Sequence, residues 1–161
     1  MNNISSYSLI LGGAKALDKI SQTPRLDSEL LLAKVLKMGR DQFYCKDIFP
    51  ERKQIQAYDA LLKKRIQGTP VAYLTGYKEF WSLPLKVNQD TLIPRPETEL
   101  LIYKVINFFK NKRINILDIG TGSGCILLSI LKELNFSRGT GIDISSKAIE
   151  TAKINSKNLN L

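Results

Sequence analysis

A short apolar run that ends near an aspartate and leads into three alternating glycines constrains this fold most. Residues 115–119 read Asn-Ile-Leu-Asp-Ile, and Gly120-Thr-Gly-Ser-Gly124 follows directly. The apolar run predicts a buried strand, and the residues from Cys125 to Glu133 have the apolar spacing of a helix. A strand, a glycine loop and a helix in this order point backbone N–H groups and a helix N-terminus at a ligand. The alternative interpretation is a tight turn whose glycines only supply positive φ angles.

A second acidic residue follows at the distance expected for a nucleotide-binding unit. Residues 139–143 read Gly-Thr-Gly-Ile-Asp, so Asp143 should end the next parallel strand. A carboxylate about 20 residues after the glycine loop can accept hydrogen bonds from both hydroxyls of an adenosine ribose. Alternatively, Asp143 caps a helix that starts near Ser145.

The spacing of the glycines separates three kinds of adenosine ligand. A dinucleotide fingerprint, GxGxxG, would place glycine or alanine at position 125, which is Cys125, and a P-loop would need a lysine after Gly124. The observed D-x-G-x-G-x-G pattern suits a ligand with a carboxylate and a ribose. We therefore predict S-adenosylmethionine as the cofactor. Its predicted binding residues are Gly120, Thr121, Gly122, Ser123, Gly124 and Asp143, with Asp118 as a further candidate.

Composition excludes several classes of site. The 161 residues include no histidine, which removes Ser-His and Cys-His nucleophile systems and histidine-ligated metal sites. Cys45 and Cys125 form no CxxC pair, so the sequence predicts neither a disulfide scaffold nor a structural zinc site, and we expect no bound metal. The first 13 residues lack a basic secretory n-region and no apolar run is long enough for a membrane span, so we expect a cytoplasmic protein.

The net charge of +9 raises the possibility of a nucleic-acid partner. The longest basic run is only Lys63-Lys64-Arg65, and no recognition motif accompanies the charge. We therefore expect solvated helix faces and no direct nucleic-acid binding. A basic nucleic-acid-binding protein stays open as an alternative, which a steep salt dependence of binding to random duplex would support.

The hydrophobic pattern predicts an α/β chain with an all-helical beginning. Helices are expected over residues 5–20, 26–38 and 51–67, a strand or hairpin over 73–87, and a helix starting at Pro96. The second half should continue with the strand, loop and helix above, a strand ending at Asp143 and a helix over 146–158. We predict a helical domain at 1–72, a hairpin linker at 73–94 and a partial Rossmann-like domain at 95–161.

Three further motifs carry a family resemblance. They are Arg65-x-x-Gly-x-Pro-x-Ala-Tyr-Leu-Thr-Gly76, Glu79-Phe-Trp-Ser-Leu-Pro-Leu85 and Leu92-Ile-Pro-Arg-Pro-Glu-Thr-Glu99. Together they resemble the release-factor glutamine methyltransferases along the whole chain. The resemblance implies a monomer that transfers a methyl group from S-adenosylmethionine to the side-chain amide of the glutamine in the Gly-Gly-Gln motif of class-1 peptide chain release factors. It also implies that the helical domain docks the release factor.

The sequence departs from this family in one respect. Members carry an Asn-Pro-Pro-Tyr motif whose Asn side chain and Pro carbonyl accept hydrogen bonds from the substrate amide, and no such run occurs in the 161 residues. We therefore assign no catalytic residue. We expect a truncated domain with two strands, unpaired sheet edges and one bare apolar face, and no methyl transfer by residues 1–161 alone. The alternative function is a non-catalytic remnant that binds release factors.

Overall fold

The computed structural model describes residues 4–161, which form two compact units that divide between Thr75 and Gly76. The predicted helical domain ended at residue 72, but residues 71–75 form one more short helix. The hairpin linker was predicted over residues 73–94, and residues 76–94 of it lie within the second compact unit.

Between residues 4 and 75, the structure of the first unit contains five helices. They are α1 (Ser6–Leu17), α2 (Pro24–Leu36), α3 (Gln42–Cys45), α4 (Arg52–Ile66) and α5 (Val71–Thr75). Helices α1, α2 and α4 match the three predicted helices, whereas α3 and α5 were not predicted because four or five residues are too few to show a period. The core of this unit contains Ile10, Leu31, Leu32 and Tyr58.

Local residues set the helix ends in this unit. The Ser5 side chain accepts a hydrogen bond from the Ser8 N–H and caps α1. Pro24 is the first residue of α2, where its missing N–H costs nothing. That helix ends at Lys37, which itself adopts the left-handed conformation (φ 53°). The sequence had predicted that this helix extends to residue 38, beyond the observed end.

A buried carboxylate ties α2 to the segment that follows it. Glu29 is 2% exposed and accepts hydrogen bonds from Arg25 Nε at 3.0 Å, Arg40 Nη1 at 3.0 Å and the Tyr44 hydroxyl at 2.9 Å. Burial alone would raise the pKa of Glu29, but the hydrogen bonds from Tyr44 and the two arginines outweigh it and lower the pKa below its ordinary value. Glu29 therefore stays ionised inside the helical unit.

The second unit begins with a tight antiparallel hairpin. Strands β1 (Tyr77–Phe80) and β2 (Leu83–Lys86) pair in register, and only Trp81 and Ser82 connect them. Both connecting residues have positive φ angles, 50° and 56°, which two-residue hairpin turns of this hand require. The Trp81 N–H donates to Glu99 Oε1 at 2.9 Å, and its indole N–H donates to Glu133 Oε1 at 2.8 Å. These two carboxylates hold a turn that normally favours glycine or asparagine.

The remainder of this unit is an α/β layer. Strand β3 (Asn115–Ile119) pairs in parallel with β4 (Arg138–Ile142), and three helices accompany the pair: α6 (Glu99–Phe108), α7 (Cys125–Glu133) and α8 (Ser146–Asn158). Pro96 starts a 3₁₀ turn over Pro96–Thr98, so Glu97 and Glu99 fall in different elements. The bounds of β3, α7 and α8 agree with the sequence prediction, and the α/β class is confirmed.

The core of the second unit lies between the hairpin and the helices. Its buried members are Phe80, Leu85, Ile102, Leu128, Ile130, Leu134 and Leu159. The apolar side chains of the two parallel strands are instead largely exposed: Leu117 is 61% exposed, Ile119 75% and Ile142 46%. The expected bare apolar face is therefore present. Among residues 4–161, no helix is both long enough and apolar enough to cross a membrane.

Candidate functional site

The glycine loop between β3 and α7 has the backbone conformation that its sequence pattern requires. Gly120, Gly122 and Gly124 all have positive φ angles, 78°, 56° and 80°. Side chains with a Cβ rarely adopt this conformation, which explains glycine at three alternate positions. The loop turns the chain from the end of β3 into the first turn of α7.

Hydrogen bonds to the neighbouring strand fix the start of the loop. The N–H groups of Gly120 and Thr121 both donate to the carbonyl of Ile142, the last residue of β4, at 2.8 and 3.0 Å. The Thr121 hydroxyl donates to Asp118 Oδ2 at 2.7 Å. Asp118, the further candidate ligand, thus has one carboxylate oxygen engaged inside the loop.

Asp143 joins the glycine loop to the beginning of α8. Its Oδ2 accepts a hydrogen bond from the Gly122 N–H at 2.8 Å, and its Oδ1 accepts one from the Ser145 N–H at 2.9 Å. These backbone donors, Ser145 first, hold the pKa of the Asp143 carboxyl below its ordinary value. The structure therefore brings the two halves of the predicted site, the loop and Asp143, into direct contact.

The alternative interpretation of Asp143 as a helix cap is wrong. Helix α8 begins at Ser146, and its N-cap is Ser145, whose hydroxyl oxygen accepts a hydrogen bond from the Ala148 N–H at 3.2 Å. Asp143 lies two residues before the cap and spans the gap to the glycine loop instead.

The loop has space for a ligand at its middle glycine. A Cβ built on Gly122 would meet only the Gly120 carbonyl oxygen, 4.0 Å away, and one on Gly120 would meet nothing within 4 Å. A Cβ on Gly124 would instead lie 2.9 Å from Leu128 Cδ1. The first two glycines therefore face open space, whereas Gly124 packs against α7. Each Asp143 oxygen has a second lone pair, so the carboxylate can still accept from a ligand hydroxyl.

These features fit S-adenosylmethionine. The ionised Asp143 carboxylate offers acceptors for two hydroxyl groups, and the open backbone at Gly122 offers close approach to a small ligand. The two predicted residues with hydroxyl side chains differ from the glycines: Thr121 is 5% exposed and Ser123 is 1% exposed, so both are buried. Within residues 4–161, no group of three or more acidic or cysteine side chains could hold a metal ion.

Sequence reasoning missed two residues that support the loop. A Cβ on Gly141 of β4 would lie 2.9 Å from Thr121 Oγ1, so only glycine lets the loop close against the strand. Asn155 of α8 is 1% exposed and donates a hydrogen bond to the Ser123 carbonyl at 2.9 Å. A side-chain amide on the buried face of α8 must find hydrogen-bond partners, and this requirement is the signal that could have identified Asn155.

Comparison with known proteins identifies both units. Residues 8–76 match the PrmC N-terminal domain family, and residues 110–161 match a methyltransferase domain family. The chain is 44% identical over 146 residues to the release factor glutamine methyltransferase of Coxiella burnetii, an alignment that covers 89% of this chain and 53% of the relative. Along most of its length, the chain is therefore similar to a release factor glutamine methyltransferase.

Two further relatives of the same name show the same similarity. The release factor glutamine methyltransferase of Rhodopirellula baltica is 42% identical over 149 residues, covering 89% of this chain and 50% of the relative. The release factor glutamine methyltransferase of Buchnera aphidicola subsp. Schizaphis graminum is 41% identical over 150 residues, covering 91% of this chain and 54% of the relative. The chain spans about half the length of the curated relatives it matches. The PrmC N-terminal match lies almost entirely within the first compact unit, and the methyltransferase match contains the glycine loop.

Proposed function

We propose that the second unit binds S-adenosylmethionine at the Gly120–Gly124 loop, with Asp143 holding the ribose. The observation that supports this most strongly is the hydrogen bond from the Gly122 N–H to Asp143 Oδ2, because it puts the two ligand-holding elements at one place. Asp118 supports the loop from within through Thr121.

We further propose the activity named for the relatives, applied to the glutamine of the Gly-Gly-Gln motif in class-1 release factors. S-adenosylmethionine supplies an electrophilic methyl group on a sulfonium sulfur, so the reaction depends on positioning more than on acid–base help. This chain's contribution is to hold the cofactor through the loop backbone and the ionised Asp143. The side-chain amide of glutamine is a poor nucleophile and needs acceptors that orient its N–H bonds. The 161 residues contain no Asn-Pro-Pro-Tyr run to provide them.

The test is methyl transfer to a release factor, read by mass spectrometry of its Gly-Gly-Gln peptide. Residues 1–161 are compared with the same chain fused to the C-terminal half of the Coxiella burnetii relative. We expect the fusion to add one methyl group to the glutamine and residues 1–161 alone to add none. A fusion that carries Gly122→Val controls for methylation by the grafted half. Methylation by that control, or by residues 1–161 alone, would contradict the proposal.

A second candidate function is release-factor binding without catalysis. It is favoured by the separate compactness of the helical unit, which has its own core around Leu31, Leu32 and Tyr58. Residues 4–75 alone should then bind an unmodified release factor, measured by calorimetry. If the fusion methylates the factor and residues 4–75 do not bind it, the binding-module hypothesis is wrong.

A further inference from the structure

One buried side chain connects three separate segments of the second unit. Asn155 of α8 donates from Nδ2 to the Ser123 carbonyl at 2.9 Å and to the Lys86 carbonyl at 3.0 Å, and its Oδ1 accepts from the Lys86 N–H at 2.7 Å. Both amide hydrogens are therefore used, together with one acceptor position. The segments that it joins are the glycine loop and strand β2, which lie far apart in the sequence.

The contact with the glycine loop falls between two of its glycines. Ser123 lies between Gly122 and Gly124, and glycine populates left- and right-handed conformations about equally when nothing restrains it. A fixed donor on the Ser123 carbonyl restricts the two peptide units on either side of it. The donor is held in place because Asn155 lies in the last turn of α8.

We propose that Asn155 is a positioning residue for cofactor binding, which holds the Gly122–Gly124 stretch in its ligand-ready conformation and couples it to β2. The inference deepens the proposed function and rests on it, since the loop is taken as the place where S-adenosylmethionine binds. Asn155 touches the loop from the buried side, so it acts through the loop backbone and not on the ligand.

The same helix offers a matched control. Thr151 is 2% exposed, lies one turn earlier in α8, and accepts a hydrogen bond from Asn88 Nδ2 at 3.0 Å. Thr151 therefore links α8 to the segment just after β2, and its hydroxyl bonds Asn88 and the Lys147 carbonyl, neither of which lies in the glycine loop. Thr151→Val should reproduce the loss of a buried hydrogen bond without releasing the loop.

The experiment measures amide hydrogen exchange in the free chain by NMR. In Asn155→Ala we expect the Gly122 and Gly124 amides to exchange at least about tenfold faster than in the wild type, with the α2 amides unchanged as an internal reference. Thr151→Val should leave the two glycine rates within about twofold. If Asn155→Ala gives no dispersed spectrum, Asn155→Asp replaces it, because it keeps the acceptor for Lys86 but cannot donate to Ser123 when ionised.

A titration with S-adenosylmethionine provides the functional readout. The dissociation constant should rise at least about tenfold in the Asn155 variant and less than about twofold in Thr151→Val. Equal glycine exchange in Asn155→Ala and wild type, or equal weakening by both variants, would overturn the positioning role. Absence of cofactor binding to the wild type would refute the proposed function instead, and the exchange rates, measured without cofactor, would still decide what Asn155 does to the loop.

Discussion

Replacing Gly124 by alanine separates two physical demands on the glycine loop, backbone conformation and close packing. Gly120 and Gly124 have nearly the same φ, 78° and 80°, so alanine is equally strained at both. Their surroundings differ. A Cβ on Gly124 would lie 2.9 Å from Leu128 Cδ1, 3.3 Å from Leu128 Cγ and 3.4 Å from Ala152 Cβ, whereas a Cβ on Gly120 has nothing within 4 Å. Gly120→Ala is therefore the matched control for Gly124→Ala.

The expected losses follow from these distances. A residue with a Cβ costs about 1–2 kcal/mol in the left-handed conformation, which applies to both variants. Overpacking a buried site adds about 1–3 kcal/mol, and Leu128 is only 5% exposed. Because the nearest atoms belong to a flexible side chain, we use the lower half of that range. Gly124→Ala should lose about 2–4 kcal/mol of unfolding free energy and Gly120→Ala about 1–2 kcal/mol.

The fluorescence of Trp81 provides the assay. It is the single tryptophan of the chain and lies in the second unit, so urea unfolding followed by its emission reports that unit alone. The midpoint should fall further in Gly124→Ala than in Gly120→Ala, with an unchanged slope. Equal midpoints in the two variants would refute the packing argument, and a wild-type midpoint in both would refute the conformational one.

Three further predictions concern the site and the helical unit. In the fusion with the C-terminal half of the Coxiella burnetii relative, Gly122→Val should abolish S-adenosylmethionine binding, because a branched side chain would fill the open space at the loop. Unchanged affinity, measured by calorimetry, would exclude this loop as the cofactor site. Asp143→Asn in the same fusion keeps one acceptor but loses the charge, so we expect S-adenosylmethionine to bind at least about tenfold more weakly while the fold is retained. Ser145→Ala is the control, because it removes only the cap of α8; it should lower the melting temperature without that loss of affinity. Glu29→Gln should lower the unfolding free energy of the helical unit at neutral pH by about 1–2 kcal/mol. This figure is at the low end of the range for hydrogen bonds to a charged group, because Arg25 and Arg40 are both about half exposed and solvent screens their charges. Because folding lowers the pKa of Glu29, the extra stability of the wild type over Glu29→Gln is complete above the ordinary glutamate pKa and is lost as the pH falls through the folded-state pKa. Circular dichroism melts of both proteins at several pH values measure this difference. A difference that does not change with pH would contradict the ionised state assigned to Glu29.

The elements predicted most accurately are those whose signals are local. Strand β3, helix α7 and helix α8 follow from an apolar run, alternating glycines and helical periodicity, which are signals within or directly beside each element. The three glycines have the positive φ angles that their spacing indicated. The helix end at Lys37 was predicted incorrectly, because a lysine in the left-handed conformation leaves no compositional sign.

The supporting contacts of the site could not be predicted in the same way. Asn155 meets Lys86 and Ser123 only after α8 has packed, and nothing in their separate neighbourhoods marks the pairing. Glu99 lies in the first turn of α6, where an acidic residue favours the helix N-terminus. In the structure its carboxylate also accepts a hydrogen bond from the Trp81 N–H and holds the hairpin turn. Such long-range polar contacts depend on tertiary packing and not on local propensity.

The central claim is that the Gly120–Gly124 loop and Asp143 together form a cofactor site, and an NMR titration of residues 1–161 with S-adenosylmethionine tests it most directly. The amide peaks of Gly120, Gly122, Gly124 and Ser145 should shift together and saturate, because the loop and Asp143 are joined by the Gly122 hydrogen bond. The peaks of α2, in the helical unit, should not move. Saturable shifts confined to other residues, or no shifts at millimolar cofactor, would contradict the account.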